Sequence, residues 1–200
     1  MADDYFKRSN WKRKDEYYTP PILVDAIIPY VERGIGPICD TTVWCPFDTE
    51  NSEFVLRLKE AGYKVLHSHI WTGQDFFEYE PEEHYDFILS NPPFSQKLAI
   101  LERLFSFGVP FAMVMGLPIL NYQVVGKFFH TMQEQGKQLQ LLIVDKKVSF
   151  DGNTASFNNS FFCHDLLPRD IIFHHLENNN SGVNFIGSRM KEDAVNEIQD

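Results

Sequence analysis

Cysteine, basic charge and long apolar runs are all scarce in this chain, and each shortage removes a class of protein. The three cysteines, Cys39, Cys45 and Cys163, include no C-x-x-C pair. Neither a disulfide framework nor a zinc site is indicated, and free buried thiols in a reducing cytoplasm are expected. No apolar stretch is long enough to cross a bilayer, and the N-terminus Met1-Ala2-Asp3-Asp4-Tyr5 is acidic and lacks the apolar segment of a signal peptide. A cytoplasmic protein with no membrane partner is the expectation. Only 18 lysines and arginines stand against 28 aspartates and glutamates, a formal charge of −10, which excludes a surface adapted to nucleic acid all round. His67 and His69 stand at i and i+2, where a strand would put both on one face, but no third ligand is close in sequence. No metal is expected there.

What the chain does have is apolar and aromatic mass, 44% and 14% of its residues, enough for one well-buried domain. We place that domain at 17–178, between a basic segment at 1–16 and a polar tail at 179–200. The basic segment interleaves Lys7, Arg8, Lys12, Arg13 and Lys14 with Trp11. Such a pattern can meet phosphates and stack on a base, or be a solvated tail. Internal repeats are absent, and no low-complexity stretch exceeds Asn178-Asn179-Asn180.

Short apolar runs alternate with helical patterns through most of the chain, which predicts an α/β fold with a mostly parallel sheet and helices on both faces. A helix is expected to begin near Pro21, with Ile22, Val24, Ile27, Ile28 and Val31 available for burial. Strands are expected at 41–45, 63–68, near Asp75-Phe76-Phe77, at 85–90 and at 109–117. Helices are expected after Asn51 or Ser52 as far as Gly62, through Leu98 to Phe105, and at 122–135. From 138 onward the pattern changes to successive strands, at 138–150, 159–164 and 171–176, which predicts an antiparallel hairpin added at one edge.

The most informative residues follow the 85–90 run: Asn91-Pro92-Pro93-Phe94. Neither proline has an N–H to donate, so the strand must stop and pass into a rigid turn. That turn gathers an amide side chain, a backbone carbonyl and an aromatic ring, a set able to hold a planar –NH2 group. A plain turn is the competing reading of the four residues alone. The stretch resembles the [DNS]-P-P-[YFW] motif of the amino-methyltransferases, which move a methyl group from S-adenosylmethionine (SAM) to a nitrogen.

Three further segments carry the same resemblance in the same order. Tyr17-Tyr18-Thr19-Pro20 is similar to the segment that closes over SAM in DNA adenine methyltransferases, which implies roles for Tyr18, Thr19 and Pro20. The loop Pro46-Phe47-Asp48-Thr49-Glu50-Asn51-Ser52 leads into a helix N-terminus suited to the SAM carboxylate. By resemblance Pro46, Phe47, Asp48 and Ser52 bind the cofactor, although the loop lacks the glycines usual there. Gly73-Gln74-Asp75-Phe76-Phe77 resembles the G-D-F element, which implies that Asp75 accepts a hydrogen bond from the SAM adenine and that Phe76 packs on its ring. The second strand offers His67-Ser68-His69 where an acid ordinarily holds the ribose.

On these residues the chain resembles the class I SAM-dependent amino-methyltransferases, and in particular the short phage and prophage DNA N6-adenine methyltransferases, whose later segment is similar to Lys146-Lys147-Val148-Ser149-Phe150…Ala155-Ser156-Phe157. The resemblance implies transfer of a methyl group to adenine N6, in DNA more than RNA, with Asn91, Pro92, Pro93 and Phe94 at the reacting centre. It implies adenine extruded between Phe94 and a second aromatic from the 150–162 region. Nucleic-acid contacts are expected at Lys12, Arg13, Lys146 and Lys147, and an oligomer or partner subunit is compatible with the absence of a separate recognition domain. The alternatives are a non-catalytic methyltransferase-fold binding module, or methylation of a protein glutamine or of RNA.

Overall fold

The computed structural model describes residues 19–35, 38–93, 95–148, 150 and 159–176. Helix α1 (Pro21–Gly34) begins as the paired prolines dictate: Pro20 is its extended N-cap and Pro21 takes the first helical position, where a missing N–H costs nothing. Strand β1 (Thr42–Cys45), α2 (Glu53–Glu60) and β2 (Lys64–His67) form one parallel crossover unit. Strand β3 (Phe87–Ser90), α3 (Lys97–Phe107) and β4 (Phe111–Gly116) form a second. Helix α4 (Gln123–Glu134) and strands β5 (Gln140–Val144), β6 (Asn159–His164) and β7 (Ile171–His174) complete the described elements.

The sheet order is β2-β1-β3-β4-β6-β5-β7. Strand β6 lies between β4 and β5 and is antiparallel to both, and the edge strand β7 is parallel to β5. The expected hairpin is therefore present as β5 and β6, with one more parallel strand outside it. The chain reaches that edge by passing from β6 across the start of β5, and Gln140 secures the passage. Its Oε1 accepts from Leu166 N (2.9 Å) and Leu167 N (2.8 Å) while its Nε2 donates to Leu167 O (2.7 Å). Gln140→Leu, which strands three backbone groups at once, is expected to cost about 2–3 kcal/mol of unfolding free energy in urea titrations.

Strand alternation sorts the core into two layers. Val43, Cys45, Phe87, Leu89, Ala112, Val114, Phe161 and Cys163 face α1 and α2, whereas Trp44, Ile88, Phe111, Met113, Met115 and Phe162 face α3 and α4. Both strand faces are apolar, as a sheet covered on two sides requires. Cys45 and Cys163 are free and buried, and burial pushes both thiols well up.

The strand expected near Asp75-Phe76-Phe77 does not form. Residues 70–86 instead make a 3-10 turn (Ile70–Thr72), a tight turn and an irregular return to β3. The two phenylalanines are apolar because Phe76 plugs the α3 face, its ring 5.9 Å from Trp44 and 4.7 Å from Phe47. Arg103 of α3 clamps this segment, with its guanidinium 5.6 Å from the Phe76 ring and 4.9 Å from Phe107, and donates to Tyr79 O at 3.2 Å. Arg103→Met is expected to lower stability by about 1–2 kcal/mol in the same titration.

Candidate active site at the switch point

Strand β1 has β2 on one side and β3 on the other, so the chain leaves β1 in one direction and returns in the opposite one. The gap between the carboxyl ends of β1 and β3 is the topological switch point, where open α/β sheets bind ligands. Two segments meet there. One is the loop Pro46–Ser52 after β1, and the other is the end of β3 at Ser90, from which the Asn91-Pro92-Pro93 segment continues.

Register explains the meeting. Trp44 pairs with Ile88, so β3 runs on to Ser90 beside the place where β1 has already turned at Pro46 and Phe47. The loop after β1 contains no glycine, and hydrogen bonds to serine take over its shaping. Phe47 N donates to Ser90 Oγ (3.2 Å), Asp48 N donates to Ser68 O (3.2 Å), and Ser68 N donates to Cys45 O (3.1 Å). Trp44 Nε1 fixes the Ser68 hydroxyl from within the core (3.0 Å). The backbone thus turns through side-chain and strand-end partners instead of conformationally free residues.

Asp48 is the unusual group. It is only 6% exposed, and its carboxylate accepts a short hydrogen bond from Ser90 Oγ. Burial raises its pKa to about 6, against the opposing pull of hydrogen bonds from Ser90 and Ser52. Ser52 Oγ also reaches Thr49 O (3.0 Å) at the entry to α2. A buried carboxyl held by the neutral hydroxyls of Ser90 and Ser52 is a strongly perturbed acid, of the kind that gathers at functional sites.

Asn91 is half-buried with its Oδ1 shielded from solvent, and Pro92 and Pro93 are buried behind it. Shortly after the turn Gln96 adopts a φ of +62° as the N-cap of α3. A side-chain-bearing residue in the left-handed region costs on the order of 1 kcal/mol, and such strain gathers where a turn must hold a set shape.

The other expected site residues fall as follows. Thr19 and Pro20 are buried at the head of α1. The far end of that helix, Gly34, lies against Leu166, at the amino edge of the sheet. Fourteen residues span about 21 Å, so the head of α1 lies toward the carboxyl edge. Phe47 is half-buried, with its ring on Phe76. Asp75 uses Oδ1 to accept from Phe77 N (3.0 Å) and closes its own turn. Phe76 is 3% exposed and committed to the core, which leaves Phe77 as the more accessible ring of that turn. His67 is exposed at the end of β2, whereas His69 is buried in the following turn with Nδ1 accepting from Trp71 N (3.1 Å). The two histidines do not share a strand face, and burial lowers the pKa of each. Among the described residues no cluster of three His, Cys, Asp or Glu side chains is placed to hold a metal ion.

Lys147 is exposed, but Lys146 turns inward and donates Nζ to Leu176 O (2.5 Å). Tyr18, Phe94, Lys12 and Arg13 lie outside the described residues. Of the aromatics expected opposite Phe94, Phe161 and Phe162 are fully buried on opposite faces of the sheet, so neither can stack on a base. Phe150 is half-buried against the α1 and α2 layer. Sequence reasoning missed Ser90 and Ser68 altogether. Their only signal was a small hydroxyl residue at a strand end, closing the apolar β3 for Ser90 and following the edge strand β2 for Ser68.

No protein-family model and no curated protein matches the chain. Two solved structures align over 92% of it. One is a protein from Listeria monocytogenes assigned to the class I S-adenosylmethionine-dependent methyltransferases, with a TM-score of 0.57 and 8% identity over 72% of that chain. The other is a type I restriction-modification system methyltransferase subunit from Streptococcus thermophilus, with a TM-score of 0.51 and 14% identity. The chain spans 54% of that subunit's length. No helix among the described residues is long and apolar enough to cross a membrane. The parallel sheet with its switch point between β1 and β3, its antiparallel β6 and these two likenesses agree: the chain has the class I methyltransferase fold.

Proposed function

We propose that the chain transfers the methyl group of SAM to the N6 amino group of adenine in nucleic acid, with DNA as the substrate. The observation that carries this reading is the contact between the two halves of the switch point. Ser90, the residue before Asn91, is hydrogen-bonded to Asp48 and to the backbone of the loop after β1.

The residues present fit the cofactor in charge and in donor set. SAM, when bound, supplies an electrophilic methyl group on a sulfonium and carries net positive charge. Asp48 offers a buried carboxyl, and the loop adds Glu50 without a lysine or arginine between Pro46 and Ser52. The N-terminus of α2 presents backbone N–H groups to an anionic end. Asp75 retains acceptor capacity beyond its bond to Phe77, since a carboxylate has about four lone-pair sites. It would receive the amino group of the cofactor's adenine.

At the reacting centre the work is positioning. Asn91 Oδ1 and the Pro92 carbonyl would accept the two N6 hydrogens, directing the nitrogen lone pair out of the ring plane. An aniline-like nitrogen is a poor nucleophile, and holding it in that geometry is worth orders of magnitude without covalent help. Once methylated the nitrogen is strongly acidic and releases one proton to solvent, leaving neutral N6-methyladenine and S-adenosylhomocysteine. Two prolines in succession keep this carbonyl from being drawn into the sheet. Exposed rings at Trp71 and Tyr122, on the loops that follow β2 and β4, offer surfaces on which bases can stack. The fold likeness to a restriction-modification methyltransferase subunit is in keeping with a DNA substrate.

The reading is tested by expressing the chain in cells that lack adenine methylation and hydrolysing their genomic DNA. N6-methyldeoxyadenosine is the expected product. Methylated adenosine found only in the RNA of the same cells, or methylated glutamine only in their protein, would move the substrate and leave the site in place.

A further inference from the structure

Ser90 has no place in the resemblance that pointed to this site, yet it ties the two sides of the site together. It is fully buried. One hydroxyl does two things: its proton goes to Asp48 Oδ2, and its oxygen receives the N–H of Phe47 at 3.2 Å. These partners lie 42 and 43 residues away in sequence, on the loop expected to hold the cofactor. On its other side Ser90 is peptide-bonded to Asn91, and Pro92 and Pro93 make the next links stiff. A displacement of Ser90 is therefore delivered to the Asn91 amide and the Pro92 carbonyl with little slack.

We propose that Ser90 is a positioning residue that couples occupancy of the Asp48 loop to the placement of Asn91. This rests on the methyltransferase reading above. Two states of the tie follow from its chemistry. With a cation beside it, the Asp48 carboxylate is held from two sides, by the cation and by the Ser90 hydroxyl, and the loop is fixed against the end of β3. With the loop empty, Asp48 has one partner fewer, and the end of β3 is held chiefly by its ladder to β4, in which Ser90 pairs with Met113. Cofactor binding would thus complete the amine-holding geometry one residue away, and the target base would meet a formed site only after the cofactor is in place.

Three substitutions isolate the hydroxyl. Ser90→Ala removes it, Ser90→Thr keeps it, and Ser90→Val has the shape of threonine without it. If the tie positions Asn91, the Ala and Val proteins lose about 100-fold in kcat, the scale of an ångström-level misplacement, while KM for SAM changes by about threefold or less. The Thr protein stays within about threefold of the parent. A second readout needs no turnover. The side-chain amide resonance of Asn91, identified by its loss in Asn91→Asp, should move when the parent protein is saturated with S-adenosylhomocysteine or SAM. It should remain near its ligand-free position in the Ala and Val proteins under the same saturation. Equal kcat in all four proteins, or an Asn91 resonance that moves alike in all of them, overturns the coupling while leaving the methyltransferase reading intact. A parent protein that neither binds SAM nor transfers methyl overturns that reading, and the coupling with it.

Discussion

Asn91→Ala is expected to reduce methyl transfer by at least about 10³-fold while leaving SAM affinity within about threefold of the parent. The asymmetry follows from where the side chain sits. Asn91 follows β3, whereas the groups proposed for the cofactor lie on the loop after β1, the turn at Asp75 and the head of α1. Its amide oxygen would touch only the amino group that reacts. Losing it removes an interaction made at the reacting nitrogen, which lowers kcat and spares cofactor binding. Equilibrium calorimetry with SAM, beside transfer of labelled methyl to DNA, separates the two. Loss of both together would mean that Asn91 supports the fold of the turn.

Asp48→Asn should give the opposite pattern, a more stable protein with a poorer cofactor site. The carboxyl has an ordinary value of 3.8 and rises to about 6 when buried. The folded state therefore holds its proton more tightly than the unfolded chain. Stability from this group is fully present below pH 4 and is lost as pH rises through 6. At about 1.4 kcal/mol for each tenfold change, the ionised side chain costs the native state about 3 kcal/mol at pH 8. Asparagine keeps the shape and an oxygen for Ser90 Oγ–H, but has no charge to bury. In urea titrations the stability gap in favour of Asp48→Asn should be near zero at pH 4 and open to about 3 kcal/mol at pH 8. A gap that is constant with pH would show that Asp48 is not the buried acid responsible. Over the same range the variant should bind SAM about tenfold or more weakly, because the proposed partner of the sulfonium cation has lost its charge. S-adenosylhomocysteine, which lacks the sulfonium charge, should lose less.

Much of the fold was legible because its signals are local. Paired prolines announced the start of α1, and Gly62, at a φ of +99°, marked the end of the helix α2. Apolar runs over 42–45, 87–90 and 111–116 are uninterrupted because helices cover both faces of those strands. Where the local signal misled, tertiary packing had taken it over. Phe76 and Phe77 look like half a strand, but Phe76 is apolar because Trp44, Phe47 and Arg103 close around it. The parallel pairing of β7 with β5 depends on Gln140 gripping Leu166 and Leu167, a contact between residues 26 and 27 apart that no periodicity reports.

The candidate site divides along the same line. The end of β3 at Ser90 was readable because proline chemistry is carried by single residues, and Pro92 and Pro93 cannot extend a ladder. The absence of glycine after β1 was also readable, but not its remedy. Ser90 shapes that loop through its hydroxyl and Ser68 through its backbone, both from the ends of strands far along the chain, and nothing in a serine at such a place distinguishes a loop-shaping residue from a filler. Lys146 shows the reverse failure. A basic pair in sequence reads as a phosphate contact, yet one of the two is spent on the Leu176 carbonyl.

The most direct test of the central claim is transfer of labelled methyl from SAM to unmethylated duplex DNA by the purified protein, followed by digestion to nucleosides. Label is expected in N6-methyldeoxyadenosine, and none when Asn91 is replaced by alanine. A protein that binds neither SAM nor DNA and transfers no label to DNA, RNA or protein would contradict it, and would make the Asp48–Ser90 junction a structural tie in a fold kept for another purpose.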